Sequence, residues 1–175
     1  MRHPRVTAAA VALGSLAFAV APARADGPLS IGVGPSIAFQ SQARRSGGTD
    51  QLNINLALDL GSTKHFPLRN SLMFDYAGGA ANGGSLSEYG LGFGTRLNAP
   101  TYVGGGAFLY SVNLNGGSAG GPHSSTGFGS NIFAGRRILE VPGGVAFAVQ
   151  LTYRQLPVVS GVNPSGLGLT FRVSL

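Results

Sequence analysis

His123, Ser125 and Glu140 are the residue types of a base, a nucleophile and an orienting acid. Such a set performs acyl transfer only when its members lie within hydrogen-bond contact. Glycine clusters raise a second chemistry, phosphate binding. The run "GLGFG", Gly90 to Gly94, lacks the G-x-G-x-x-G spacing and is followed by no helical pattern, and "GGSAGGPHSS", ending at Ser125, lacks the lysine of a phosphate loop. Metal chemistry has still less to draw on. The three histidines, His3, His65 and His123, are scattered, and there is no cysteine. The residues therefore predict no cofactor and no metal ion. What is left is a set of six charges, Asp59, Asp75, Glu88, Arg96, Arg154 and Arg172. Each falls on the polar side of an alternating segment.

Those segments are the elements that must position any chemistry. "LNINLALDL", Leu52 to Leu60, puts leucine or isoleucine at every second place and Asn, Ala or Asp between them. Successive side chains of a strand point to opposite faces, so this is a strand with one apolar and one small or polar face. The pattern recurs eight times, from Leu29, Gln51, Asn70, Glu88, Thr101, Thr126, Val145 and Gly166. Gly, Ser, Asn or Pro separates the repeats, and no helical period stands out beyond the first residues. Regular short strands of this kind argue for a sandwich or an antiparallel barrel.

Two arguments put the apolar face outside. An eight-stranded barrel has an interior only wide enough for side chains to fill. Glycine, serine and a few longer polar chains suit it better than rows of Leu and Phe. The polar face also carries balanced charge: Asp59, Asp75 and Glu88 against Arg96, Arg154 and Arg172. Balance is what a buried interior requires, because an unpaired buried charge is costly. A water-facing side would carry lysines, and Lys64 is the only one in the chain. Segments of about ten residues also match the ≈ 9–11 that a tilted strand needs to cross a bilayer. The fold expected is an all-β, eight-stranded, antiparallel up-and-down transmembrane β-barrel.

The first residues read as a leader. Arg2, His3 and Arg5 precede the apolar "VTAAAVALGSLAFAV", and Ala23 to Ala25 form a small-x-small cleavage site. We assign 1–25 to a signal peptide and 26–175 to the barrel. Removing Arg2, Arg5 and Arg24 leaves nine basic residues against six acidic, a net charge of about +3. That is too mild and too scattered for a nucleic-acid footprint. Charged residues make up only 10% of the chain, against roughly 25% in ordinary soluble proteins.

The chain resembles the small eight-stranded outer-membrane barrel family, the OmpA-barrel, OmpX and OmpW-like group. The likeness rests on the leader, the strand count, the alternation and the ending "GLGLTFRVSL", which is similar to the family's C-terminal assembly signal but closes on Leu175 instead of phenylalanine. It implies residence in the cell outer membrane, with outer-membrane lipid, lipopolysaccharide and the barrel-assembly machinery as partners. The family's orientation makes Ser41–Asp50, Gly79–Ser87, Asn115–Ser125 and Gln155–Ser165 the outer loops. Gly61–Arg69, Asn98–Pro100 and Arg136–Gly144 become periplasmic turns. Tyr76, Tyr89, Tyr110 and Tyr153 then form an outer aromatic girdle, with Tyr102 at the inner edge. His123, Ser125 and Glu140 resemble the catalytic set of outer-membrane lipid A deacylases, but this topology holds Glu140 a whole strand away. Within the lumen, Glu88 and Arg154 are expected to pair near the outer rim, with Asp75 as a third member. Asp59 is expected to pair with Arg96 or Arg172 at the periplasmic end. The expected function is non-enzymatic: structural, adhesive or envelope-protective. The rival readings are a narrow channel for ions or small solutes, a lipid A-modifying hydrolase, and a soluble secreted calycin-like barrel with its apolar face inside.

Overall fold

A computed structural model describes residues 28–62, 68–97, 99–116, 121–142 and 144–175. The proposed signal peptide, Lys64 and His65 lie outside the described residues. Eight strands, β1 (Leu29–Ala38), β2 (Gln51–Ser62), β3 (Leu68–Ala81), β4 (Gly84–Leu97), β5 (Thr101–Asn115), β6 (His123–Val141), β7 (Val145–Gln155) and β8 (Gly166–Ser174), form a closed barrel in sequence order. Every neighbouring pair is antiparallel, and β1 closes on β8 through Ser30 opposite Ser174, Ile31 opposite Val173 and Val33 opposite Phe171. Closure gives every strand a neighbour on both sides, and the ends of β6 run on past β7 and β5. The up-and-down barrel expected from the alternation is the one observed.

The faces follow the period-two pattern. Along β2, Gln51, Asn53, Asn55 and Ala57 are buried in the lumen while Leu58 and Leu60 are exposed outside. The exterior carries large apolar side chains in the open: Phe128 is 87% exposed, Phe93 66%, Ile132 64% and Phe171 61%. The lumen carries Asp75, Glu88, Arg154 and Arg172, all nearly inaccessible. The wall is thus inverted relative to a water-soluble barrel.

Three expectations about the connections are corrected. The segment 79–87 is not a loop. β3 and β4 run on as far as Ala81 and Gly84, and only Asn82 (φ 51°) and Gly83 (φ 75°) turn the chain. An Asn-Gly pair with both φ positive is the type I′ turn that matches strand twist, which lets the hairpin continue to its tip. Likewise β6 extends from His123 through Val141, so most of 136–144 is strand. Third, a short helix, α1 (Ser41–Gly47), occupies the first loop. Its sequence, Ser-Gln-Ala-Arg-Arg-Ser-Gly, has no helical apolar period, and tertiary contact holds it. Ala43, Ser46 and Gly47 are buried, Arg44 Nη1 donates to the carbonyls of Ala38 and Phe39, and Asn82 Nδ2 donates to the Arg45 carbonyl at 3.3 Å.

The helix lies over one end of the barrel, here called the capped end. The segment 156–165 folds over the same mouth. Val159 and Val162 bond to each other across a turn at Ser160 and Gly161, both with positive φ. Ser165 Oγ accepts the Leu156 N–H at 2.9 Å, and Gln40 Oε1 accepts the Asn163 N–H. Leu156, Val159 and Val162 join Ala43, Leu86, Val112 and Leu114 in the buried apolar cluster. Burial of these side chains, worth ≈ 1.5–3 kcal/mol for each Leu or Val, is what keeps the cap down. The opposite end, where β1 begins and β8 finishes, is the terminal end.

Candidate functional site

The polar lumen encloses the six predicted charges, and the strands stack them in three tiers. Glu88 on β4 and Arg154 on β7 face each other across the lumen near the capped end, with Arg154 Nη1 3.4 Å from Glu88 Oε2 and both side chains 1% exposed. Charge-assisted hydrogen bonds are usually ≈ 2.7–2.9 Å. This contact is therefore Coulombic attraction without a good hydrogen bond, and no other side chain among the described residues hydrogen-bonds the Glu88 carboxylate.

Asp75 does not join that pair. It is the centre of a neutral cage. Its Oδ1 accepts from Asn55 Nδ2 at 2.6 Å, and its Oδ2 accepts from Tyr110 Oη at 2.9 Å and Asn131 Nδ2 at 3.0 Å. One carboxylate thus ties together β2, β3, β5 and β6. Three donors spread its charge without a cation in contact, which is how a buried anion is held when pairing is not used.

Near the terminal end Asp59 collects three donors. Ser71 Oγ reaches Oδ1 at 2.6 Å, and Arg96 Nη2 and Arg69 Nη1 reach Oδ2 at 2.9 and 3.1 Å. The structure brings Asp59 to Arg96 and adds Arg69, a residue at the end of the expected turn 61–69. Period two would have found it, since Arg69, Ser71, Met73 and Asp75 share one face. Arg172 stands apart from Asp59. It donates to Gln150 Oε1 at 2.6 Å and to Ser30 Oγ. Tyr102 Oη also donates to Gln150 Oε1, at 3.2 Å, and the Arg96 guanidinium sits 5.5 Å from the Tyr102 ring centre, within cation–π range.

The larger correction concerns β5. The narrow lumen was expected to exclude bulky apolar groups, and Tyr102 and Tyr110 were expected in exterior girdles. Both are buried inside, with Phe108 and Phe133. Phe108 stacks on Tyr110 with ring centres 5.2 Å apart, and Tyr102 meets Phe133 edge-on at 6.4 Å. Room comes from glycines on the neighbouring strands. A Cβ at Gly90 or Gly129 would fall on the Tyr110 ring, one at Gly92 on Phe108, and one at Gly135 on Tyr102. Tyr76, Tyr89 and Tyr153 do lie outside, Tyr76 beside Tyr89 and Tyr153 stacked on Phe39.

The hydrolase set is not assembled. His123 and Ser125 begin β6, while Glu140 is at its far end, 3.1 Å from Arg137. Ser125 and Glu140 are separated by about 50 Å of extended strand at ~3.3 Å per residue. Among the described residues no group of three His, Cys, Asp or Glu side chains comes together.

No family model matches the chain, and no curated protein does. One solved structure that is similar is that of Neisserial surface protein A (NspA), with a TM-score of 0.58 and 15% identity, over 83% of this chain and 93% of that one. The fold is shared. At this identity the likeness carries the barrel architecture and nothing about individual residues.

Proposed function

We propose that this chain is an integral outer-membrane β-barrel with a structural, adhesive or envelope-protective role and no catalysis of its own. The observation that carries this reading is the inverted wall: large apolar side chains such as Phe128, Phe93 and Phe171 stand exposed around the exterior, while Asp75, Glu88, Arg96, Arg154 and Arg172 are enclosed. In water that arrangement would expose a hydrophobic band far larger than the few hundred Å² that soluble monomers present. In a bilayer it is the stable one, because lipid meets the apolar face and the closed barrel pairs each strand with a neighbour on both sides. A fold shared with a protein named as a surface protein is in keeping with this. The lumen packed with Tyr102, Phe108, Tyr110 and Phe133, under a buried cap, weighs against the narrow channel. On this reading the partners are outer-leaflet lipid and lipopolysaccharide, and the assembly machinery during insertion. The capped end faces outward, and residues 1–25 are the export signal.

Fractionation tests it. The full-length chain expressed in a Gram-negative host should sediment with the outer membrane and resist extraction by alkaline carbonate. Recovery as soluble periplasmic or secreted protein would refute the proposal in favour of a soluble barrel.

A further inference from the structure

Among the described residues, Arg172 is the lumen cation whose hydrogen-bond partners are all neutral. It is 2% exposed. Its guanidinium donates to the Gln150 amide oxygen and the Ser30 hydroxyl, and its Nε has no hydrogen-bond partner. The carboxylates of the lumen are engaged elsewhere: Asp59 with Ser71, Arg69 and Arg96, Asp75 with Asn55, Tyr110 and Asn131, and Glu88 opposite Arg154. Gln150 Oε1 already accepts from Tyr102 as well as from Arg172. A second guanidinium, that of Arg96, flanks the same place over the Tyr102 ring. A buried charge is tolerated when it is paired, and a neutral amide shared between two donors offsets little of its desolvation.

We propose that Arg172 anchors a site for a small inorganic anion of halide size in the terminal-end tier of the lumen. Its Nε–H is the donor left without a protein partner, and Arg96, bonded to Asp59 on one side, is the second guanidinium of the tier. Enclosure sets the class of ligand. A side chain 2% exposed inside an eight-stranded barrel is beyond the reach of a peptide or sugar carboxylate, whereas a monatomic anion needs only a few donors and the space of about one water.

The test uses the folded barrel in detergent, so its outcome is independent of where the protein resides. Urea unfolding is followed by the gel shift in sodium chloride and in sodium gluconate at equal ionic strength, gluconate being too large to enter. With chloride at about ten times its dissociation constant, the folded-to-unfolded ratio should exceed that in gluconate about tenfold. Gly121→Ala, with open space around its Cβ position, should keep this gain and Arg172→Gln should lose it. Because Arg172→Gln can fail to fold, the wild type supplies a second reading. Crystals grown in sodium bromide should give an anomalous peak within hydrogen-bond distance of Arg172 Nε. Equal stability in the two salts, a chloride gain retained by Arg172→Gln, or bromide crystals without a peak at this tier would each overturn the site.

Discussion

The Glu88–Arg154 pair offers a prediction whose size follows from its geometry. Two unit charges 3.4 Å apart attract by about 5 kcal/mol at an effective dielectric of ~20. Both side chains are 1% exposed, so each has lost several kcal/mol of hydration. The two contributions roughly cancel, and the pair adds little net stability. Removing one partner changes that. Arg154→Gln discards the attraction and leaves Glu88 buried without a cation, and Glu88→Gln strands Arg154. Each single change should cost about 3–5 kcal/mol. The double variant removes both desolvated charges together and should fall about 3 kcal/mol or more short of the summed single losses. The assay is reversible urea unfolding in detergent, read by circular dichroism in the β band and by gel shift, because the chain has no tryptophan to report by fluorescence. Losses that add to within about 0.5 kcal/mol would refute the reasoning, since contacting groups cannot be additive in this way.

Three more outcomes are expected. The native barrel should be heat-modifiable, with boiled and unboiled samples migrating differently on detergent gels, because a closed ladder has no edge from which detergent can open it; identical mobility would count against closure in solution. Leu56→Arg, on the exterior opposite Ile31 and Phe74, should lose ~2–4 kcal/mol and insert poorly, while lumen-facing Ala57→Ser assembles normally, as membrane-inserted yield will report. Gly90→Ala drives a methyl group into the Tyr110 ring and should cost about 1–3 kcal/mol in unfolding, while Gly121→Ala, with open space around its Cβ position, should change nothing measurable.

The eight strands and the sidedness of most of them were legible because alternation is a local signal: each residue's face is set by its own position in the strand. β5 resisted for a physical reason. Whether Tyr110 turns inward depends on Gly90 of β4 and Gly129 of β6, which are glycines and admit its ring. That is a property of three strands taken together, and nothing within "VGGGAFLY" states it. The 79–87 segment misled because its glycines and alanines resemble a loop, when the turn proper is only Asn82-Gly83. α1 escaped because a seven-residue helix of Ser, Gln and Arg is held by what it covers and not by an apolar stripe. The pairing tiers were partly legible. Facing charges could be read by parity, but neutral partners such as Asn55, Asn131 and Gln150 look like ordinary polar wall residues until the strands are in register.

The strands differ in length, and this gives the wall an uneven height. β6 has 19 residues and β8 only nine, because the chain after β7 is spent on the cap instead of on the wall. At ~3.3 Å per residue and a tilt of roughly 40°, β6 rises about 48 Å and β8 about 23 Å. An apolar band ≈ 25 Å tall is needed to match a bilayer of this kind. On the proposed membrane reading the side built from β3 to β6 stands clear of the lipid, and the β8–β1 seam is barely as tall as the hydrocarbon. Hydrophobic mismatch therefore falls on one flank alone. On that reading lipid there must thin or the barrel must lean toward it, so the seam that closes the molecule would also bias how the barrel sits in a membrane.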